Sequence, residues 1–165
     1  MKKYIIKTQQ DLDKFKDEYG YKINGDVEFL NSFSFAGRLL VDGGIKANGS
    51  IKAGEYIKAG EYIEADWFIE ANWSIKAGAY IKAGEEYGIL AGLHITCTNK
   101  LSFGLKCFAG TCTWREITDE DKTITCGKLE GGVIEYGILN EIGIENEQVQ
   151  EFTMEQLEKR TRKKN

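Results

Sequence analysis

From residue 51 onward the chain repeats itself every six residues: IKAGEY begins at Ile51 and again at Ile57, IEADWF at Ile63, IEANWS at Ile69, IKAGAY at Ile75 and IKAGEE at Ile81. A fixed short period means stacked, equivalent units. Extended backward, the frame puts its lead position on Ile45, Leu39, Phe33 and Val27, and its third position on Ala47, Val41, Phe35 and Phe29. Extended forward, it gives Tyr87 with Ile89, Leu93 with Ile95, a lapse at Asn99 with Leu101, and Leu105 with Cys107. Read this way the frame runs without insertion over residues 27–108.

Six is not a helical period, and Ile and Val favour pleated backbone. Within each hexad the lead residue and the Ala at the third position share one strand face, with Lys or Glu between them on the other. The fourth position is Gly, Asp or Asn, residue types that tolerate the positive φ of a sharp corner. Each hexad therefore reads as a short strand plus a bend, and such units stack into a parallel β-helix with about 4.8 Å between coils. Three hexads per coil, about 18 residues, set Glu64 between Lys46 and Lys82 and Glu70 over Lys52. A 12-residue coil instead stacks Lys46 on Lys58 but aligns Tyr56, Phe68 and Tyr80. The charges favour 18. The composition agrees: 19 Gly supply corners, and the absence of Pro fits strands whose N–H groups all serve the neighbouring coil. Ala at the third position leaves a narrow interior, which Phe29, Phe35 and Val41 plug in the first coil.

These hexads resemble those of the hexapeptide-repeat parallel β-helix proteins, the architecture of trimeric acyltransferases and, more loosely, of bacterial bactofilin filaments. The acyltransferase pattern has an aliphatic lead, often Gly next, and a small residue four later. Here Lys or Glu stands second, and Glu55, Glu61, Trp67, Trp73 and Ala79 stand fifth. The resemblance implies an architecture and leaves the handedness open.

The ends of the chain leave the repeat. Residues 1–26 read as a strand followed by a helix over residues 9–19, with Thr8 as cap, Leu12, Phe15 and Tyr19 on one face, and Gly20 as terminator. Residues 109–152 read as an acidic β segment with ten acidic and three basic side chains. In it, two strands flank the turn Asp119-Glu120-Asp121, which lacks a calcium-loop pattern and reads as a solvated tip. Residues 153–165 read as a short basic helix: Thr153 and Gln156 form a capping box, Phe152 staples to Leu157, and Lys159, Arg160, Arg162, Lys163 and Lys164 complement the helix dipole. The whole is expected to be one domain, an all-β solenoid with an N-terminal capping helix and a C-terminal β segment plus short helix.

Several functions are disfavoured. There is no apolar run long enough for a transmembrane helix and no signal-peptide pattern at the start, so the expected address is the cytosol. Cys97, Cys107, Cys112 and Cys126 have neither zinc-site spacing nor an oxidising context, so no metal, disulfide or other cofactor is expected. A net charge of −4 argues against direct nucleic-acid binding. The acyltransferase resemblance implies a His as general base, and His94, the sole His, stands second in the hexad from Leu93, pointing outward beside Lys58 and Lys76, with no carboxylate placed to orient it.

What remains is binding. Tyr56, Tyr62, Phe68 and Tyr80 precede lead positions and face outward, with Trp67 and Trp73 beside them at corners. They form either a contact patch for a partner or a twin subunit, or columns that stiffen the faces beneath a covering C-terminal segment. Exposed aromatics on a β-helix also stack on sugars, but the expected cytosolic address disfavours an extracellular polysaccharide as the substrate. The expected function is non-enzymatic: a rigid platform for a protein partner, contacted through these six aromatics or through Asp119, Glu120 and Asp121. By analogy of type, rigid acidic proteins of this kind include phage-encoded inhibitors of nucleic-acid-targeting host defence complexes, anti-CRISPR proteins among them. The alternatives are an acyltransferase using His94 at a trimer interface and a self-assembling structural protein.

Overall fold

The computed structural model describes residues 1–143. They form a parallel β-solenoid with three faces and about 18 residues per coil. The first face stacks Lys3–Ile6, Asp26–Phe29, Ile45–Ala47, Ile63–Ala65, Ile81–Lys82, Lys100–Ser102 and Lys128–Glu130. The second stacks Phe33–Phe35, Ile51–Ala53, Ile69–Ala71, Ile89–Ala91, Lys106–Ala109 and Val133–Tyr136. The third runs from Gly20–Ile23 through Arg38–Val41, Ile57–Ala59, Ile75–Ala77, Ile95–Thr96 and Thr123–Cys126 to Ile138–Glu141. Glu64 pairs in register with Lys46 and Lys82, and Glu70 with Lys52, whose ammonium lies 3.7 Å from its carboxylate. These registers exclude the 12-residue coil.

The interior is one continuous column. Lead residues Ile45, Ile51, Ile57, Ile63, Ile69, Ile75 and Ile81 are fully buried, and the third-position alanines between them are nearly so. The first coil is filled by Phe29, Phe33 and Phe35, with Phe29 and Phe33 rings 4.8 Å apart. Near the other end the filling is Phe103 with Cys97, Cys107 and Cys126. Burial pushes the Cys97 and Cys107 thiols up to about 12, so they behave as small apolar side chains. At the corners the backbone is also used up: the N–H of Asp66 donates to the Ala47 carbonyl, that of Trp67 to Gly49 and that of Gly60 to Val41. A proline at any of these positions would break a coil-to-coil bond.

Four expectations need correction. The frame is not continuous to residue 108. Ile51 pairs with Ile69 at a spacing of eighteen, but Ile69 pairs with Ile89 at twenty, and Ile89 with Cys107 at eighteen again. Two extra residues, Glu85 and Glu86, are absorbed in one corner, where the Tyr87 N–H turns back to the Gly84 carbonyl. From there the leads are Ile89, Ile95, Leu101 and Cys107, and Tyr87, Leu93, Asn99 and Leu105 are corner residues.

The corner glycines of the hexads from Ile51 to Gly84 do not serve a positive φ, unlike Gly37 and Gly110. None of Gly54, Gly60, Gly78 and Gly84 has one. Their reason is close approach: a Cβ on Gly78 would run into the Gly60 carbonyl of the coil before it.

The helix is shorter than residues 9–19. It spans Gln9–Asp13, capped by Thr8 with Asp11 reaching back to the Thr8 N–H. It stops because Lys16–Asp17 folds back antiparallel on Gly20–Tyr21, leaving Leu12 buried and Tyr19 exposed.

Last, the solenoid does not end at residue 108. Thr123–Cys126, Lys128–Glu130, Val133–Tyr136 and Ile138–Glu141 continue its three faces. Residues 111–122 leave the coil as a loop where a strand was expected from Thr113. The capping box at Thr153 and the basic tail lie outside the described residues.

Candidate partner-binding surface

The corner aromatics stack in columns. Tyr62 and Tyr80 lie parallel, 5.3 Å between ring centroids and 8° between planes. The Tyr80 hydroxyl donates to Glu64 at 3.2 Å, and burial together with that carboxylate pushes its pKa up to about 12. Trp67 stacks on Tyr87 at 6.0 Å. Trp73 lies 6.4 Å from Tyr56 and 6.2 Å from Trp114 in the 111–122 loop. These three ladders run along three different edges of the prism, so the six aromatics expected to form a contact surface are not brought together. Offset rings a coil apart stiffen a corner and each pair is worth about 0.5–1.5 kcal/mol.

The acidic turn is also partly spoken for. Asp121 accepts from the Thr118 N–H and hydroxyl, each at 3.0 Å, and from Arg115 at 2.8 Å, and these bonds hold its carboxyl below the usual range. It ties the loop together, while Asp119 and Glu120 project into solvent.

His94 stands one residue before the lead Ile95, so it continues the column of Tyr56 and Ser74 and not that of Lys58. It is half-buried, and burial with Lys76 nearby depresses its pKa. Its Nδ1 lies 3.5 Å from the Thr96 hydroxyl, and among the described residues no carboxylate hydrogen-bonds it. Among the described residues, too, no group of three or more His, Cys, Asp or Glu is placed to hold a metal ion.

A different surface emerges on the second face. Its outward strand positions read Ser34, Lys52 and Glu70 in the early coils, then Leu90 and Phe108. Phe68 and Leu105 flank them from the adjoining corner, 37% and 56% exposed. Together they line a shallow depression of about 430 Å³, with Glu70 and Lys106 at its sides. Val133 extends the apolar strip into the last coil, next to Lys106. Of these residues only Phe68 was a sequence candidate. Leu90 and Phe108 were missed because the unbroken frame places them at corners. Shifted by the two residues of Glu85–Glu86, they fall where every earlier coil of this face carries a polar side chain, and that is the signal that finds them.

No protein-family model matches the chain, and no curated protein or solved structure matches it either. No helix among the described residues is long and apolar enough to cross a membrane.

Proposed function

We propose that this chain is a non-catalytic binding protein, a rigid β-solenoid that takes a protein partner on the apolar strip of its second face. The observation that carries the reading is the change from Ser34, Lys52 and Glu70 to Leu90 and Phe108 at equivalent outward positions. Nothing in the coil requires it, because the interior positions beside them, Ile89, Ala91, Cys107 and Ala109, are buried like Ile51, Ala53, Ile69 and Ala71 below them. Clustered aromatic and aliphatic side chains on a rigid frame are what protein contacts bury at their centre. Asp66, Glu85 and Glu86, on the corner beside Trp67, give the strip an acidic border.

An apolar strip bordered along one corner by the carboxylates of Asp66, Glu85 and Glu86 on a stiff prism fits a partner built to receive nucleic acid. On this reading the chain acts in the cytosol of a bacterial host as a phage or mobile-element inhibitor of a nucleic-acid-targeting defence complex, without binding nucleic acid itself. The test is affinity capture from a lysate containing such a complex, with the immobilised chain and with L90K/F108K. Loss of the complex from the variant, and its displacement from the native chain by added DNA or RNA, supports the reading. Equal capture by both removes it, and a homodimer that the variant dissolves shows that the strip seats a second copy.

A further inference from the structure

The outward positions of the three faces follow different rules. On the first face Glu28, Lys46, Glu64 and Lys82 alternate in sign from coil to coil, as Lys52 and Glu70 do on the second. The third face reads Lys22, Leu40, Lys58, Lys76, Thr96 and Thr125 in register, with no carboxylate among them. In a chain with 26 acidic and 22 basic side chains, that absence is not an effect of composition. Lys58 stands directly on Lys76, on parallel strands about 4.8 Å apart. Like charges so placed repel, and a Glu at either position would make the pairing that the other faces make.

The surroundings do not neutralise this pair. Among the described residues neither ammonium forms an ion pair, whereas Lys52 reaches Glu70 at 3.7 Å and Arg38, at the corner of the same face, reaches Asp17 at 2.6 Å. Glu55 and Glu61 stand at the corners that bound the Lys58 strand, and neither pairs with it. Beyond Lys76 the column continues in hydroxyls. Thr96 is its neighbour in register, and the Thr96 hydroxyl lies 3.5 Å from Nδ1 of half-buried His94. Burial, and then Lys76, hold the His94 pKa down, opposed by Asp121 of the 111–122 loop.

We propose that Lys58, Lys76 and Thr96 form an oxyanion site on the third face, which takes the phosphate dianion, free or as a monoester. Two ammonium groups in register call for two negative charges on one ligand, which a phosphate dianion carries and a carboxylate does not. Its oxygens accept from both ammonium groups and from the Thr96 hydroxyl, and charge-assisted hydrogen bonds are the stronger kind. The three positions span two strand spacings, about 10 Å, and flexible lysine stems can converge on one ion over that distance. A phosphodiester offers a single charge per group, so the pair selects monoesters over a nucleic-acid backbone. The site lies on a different face from the apolar strip and does not rest on the partner-binding reading.

Heteronuclear NMR on the full-length chain tests it, near pH 8, well above the second phosphate pKa of about 6. Sodium phosphate and methyl phosphate are titrated separately, each against sodium chloride at equal ionic strength. The expected result is a saturable shift of the Thr96 amide and the His94 ring. K58Q/K76Q should weaken the apparent Kd about tenfold or more, while K46Q/K82Q, whose lysines face Glu64, binds as the native chain does. The unfolding midpoint of K58Q/K76Q should be unchanged or raised at low salt, since a repulsion is removed. Saturation by both probes supports a site open to monoesters, and saturation by phosphate alone supports one for the free ion. Shifts that only follow ionic strength, or an equal loss in the two double variants, overturn the proposal. So does a tighter response to a single-stranded oligonucleotide, which would make this face a polyanion surface.

Discussion

The coils from Ile45 to Ala83 and the coils from Ile89 to Glu141 share one interior and differ outside. Inside, buried leads stack on leads in both, with Cys97, Cys107 and Cys126 standing in where the early coils have Ala or Ile and Phe103 where they have Ala. Outside, the first two faces of the early coils alternate Lys and Glu from coil to coil and the third stacks Lys58 on Lys76, while the later coils put Leu90 and Phe108 on one face and extrude residues 111–122 from a corner. The interior is held to a pattern by packing, because every coil must fill the same narrow column. The exterior is free of that demand, so departures from its pattern point to what the molecule contacts.

The sharpest way to break this contrast is to cut the interior. Ile69→Ala in the early region should cost about 2–5 kcal/mol in denaturant unfolding, since its neighbours above and below cannot collapse into the gap. A loss below about 1 kcal/mol would mean that the column is loosely packed. Next come the corner ladders. Trp73→Ala removes contacts with both Tyr56 and Trp114 and should cost about 1–2 kcal/mol, with Trp67→Ala nearer 1 because its one stacked partner is Tyr87. If the ladders were instead the contact surface, both variants would keep full stability and lose the partner.

Smaller again is Glu64→Lys, which sets three lysines in one outward column with Lys46 and Lys82 and should cost about 0.2–1 kcal/mol, less in high salt. The smallest effect concerns pH. Burial and Lys76 hold the folded pKa of His94 below its ordinary value, so the unfolded chain binds this proton more readily. Stability should therefore fall as pH drops through about 6.5 and on toward the lower folded value. His94→Gln should flatten that part of the pH–stability curve, and an unaltered curve would show that His94 is not the group responsible.

Much of the fold was legible from residues 45–83 alone, because a six-residue period with Ile and Ala in fixed places admits few structures. The register followed from Glu64 and Glu70, whose opposite-charge neighbours select the 18-residue coil. The slip at Glu85–Glu86 was not legible, because Ile89, Ile95, Leu101 and Cys107 are inward positions in either frame. A shift of two residues preserves strand alternation and merely exchanges lead for third position. That exchange is what hid Leu90 and Phe108. The corner glycines misled for a related reason: a Gly is as well explained by a neighbouring carbonyl as by its own φ, and only the stacked coils tell the two apart. The aromatics were read correctly as outward-facing, but their assignment to three separate edges depends on knowing which corner each occupies.

The central claim is that contact is made by the strip of the second face and not by the corner ladders. It is tested most directly by measuring the affinity of the captured partner for the native chain, for L90K/F108K and for W67A/W73A, alongside their unfolding midpoints. The account predicts that L90K/F108K loses at least about 1.4 kcal/mol of binding, tenfold in Kd, while its stability changes by no more than about 0.5 kcal/mol. It also predicts that W67A/W73A binds as the native chain does although it is less stable. Native affinity in L90K/F108K together with lost binding in W67A/W73A would contradict it.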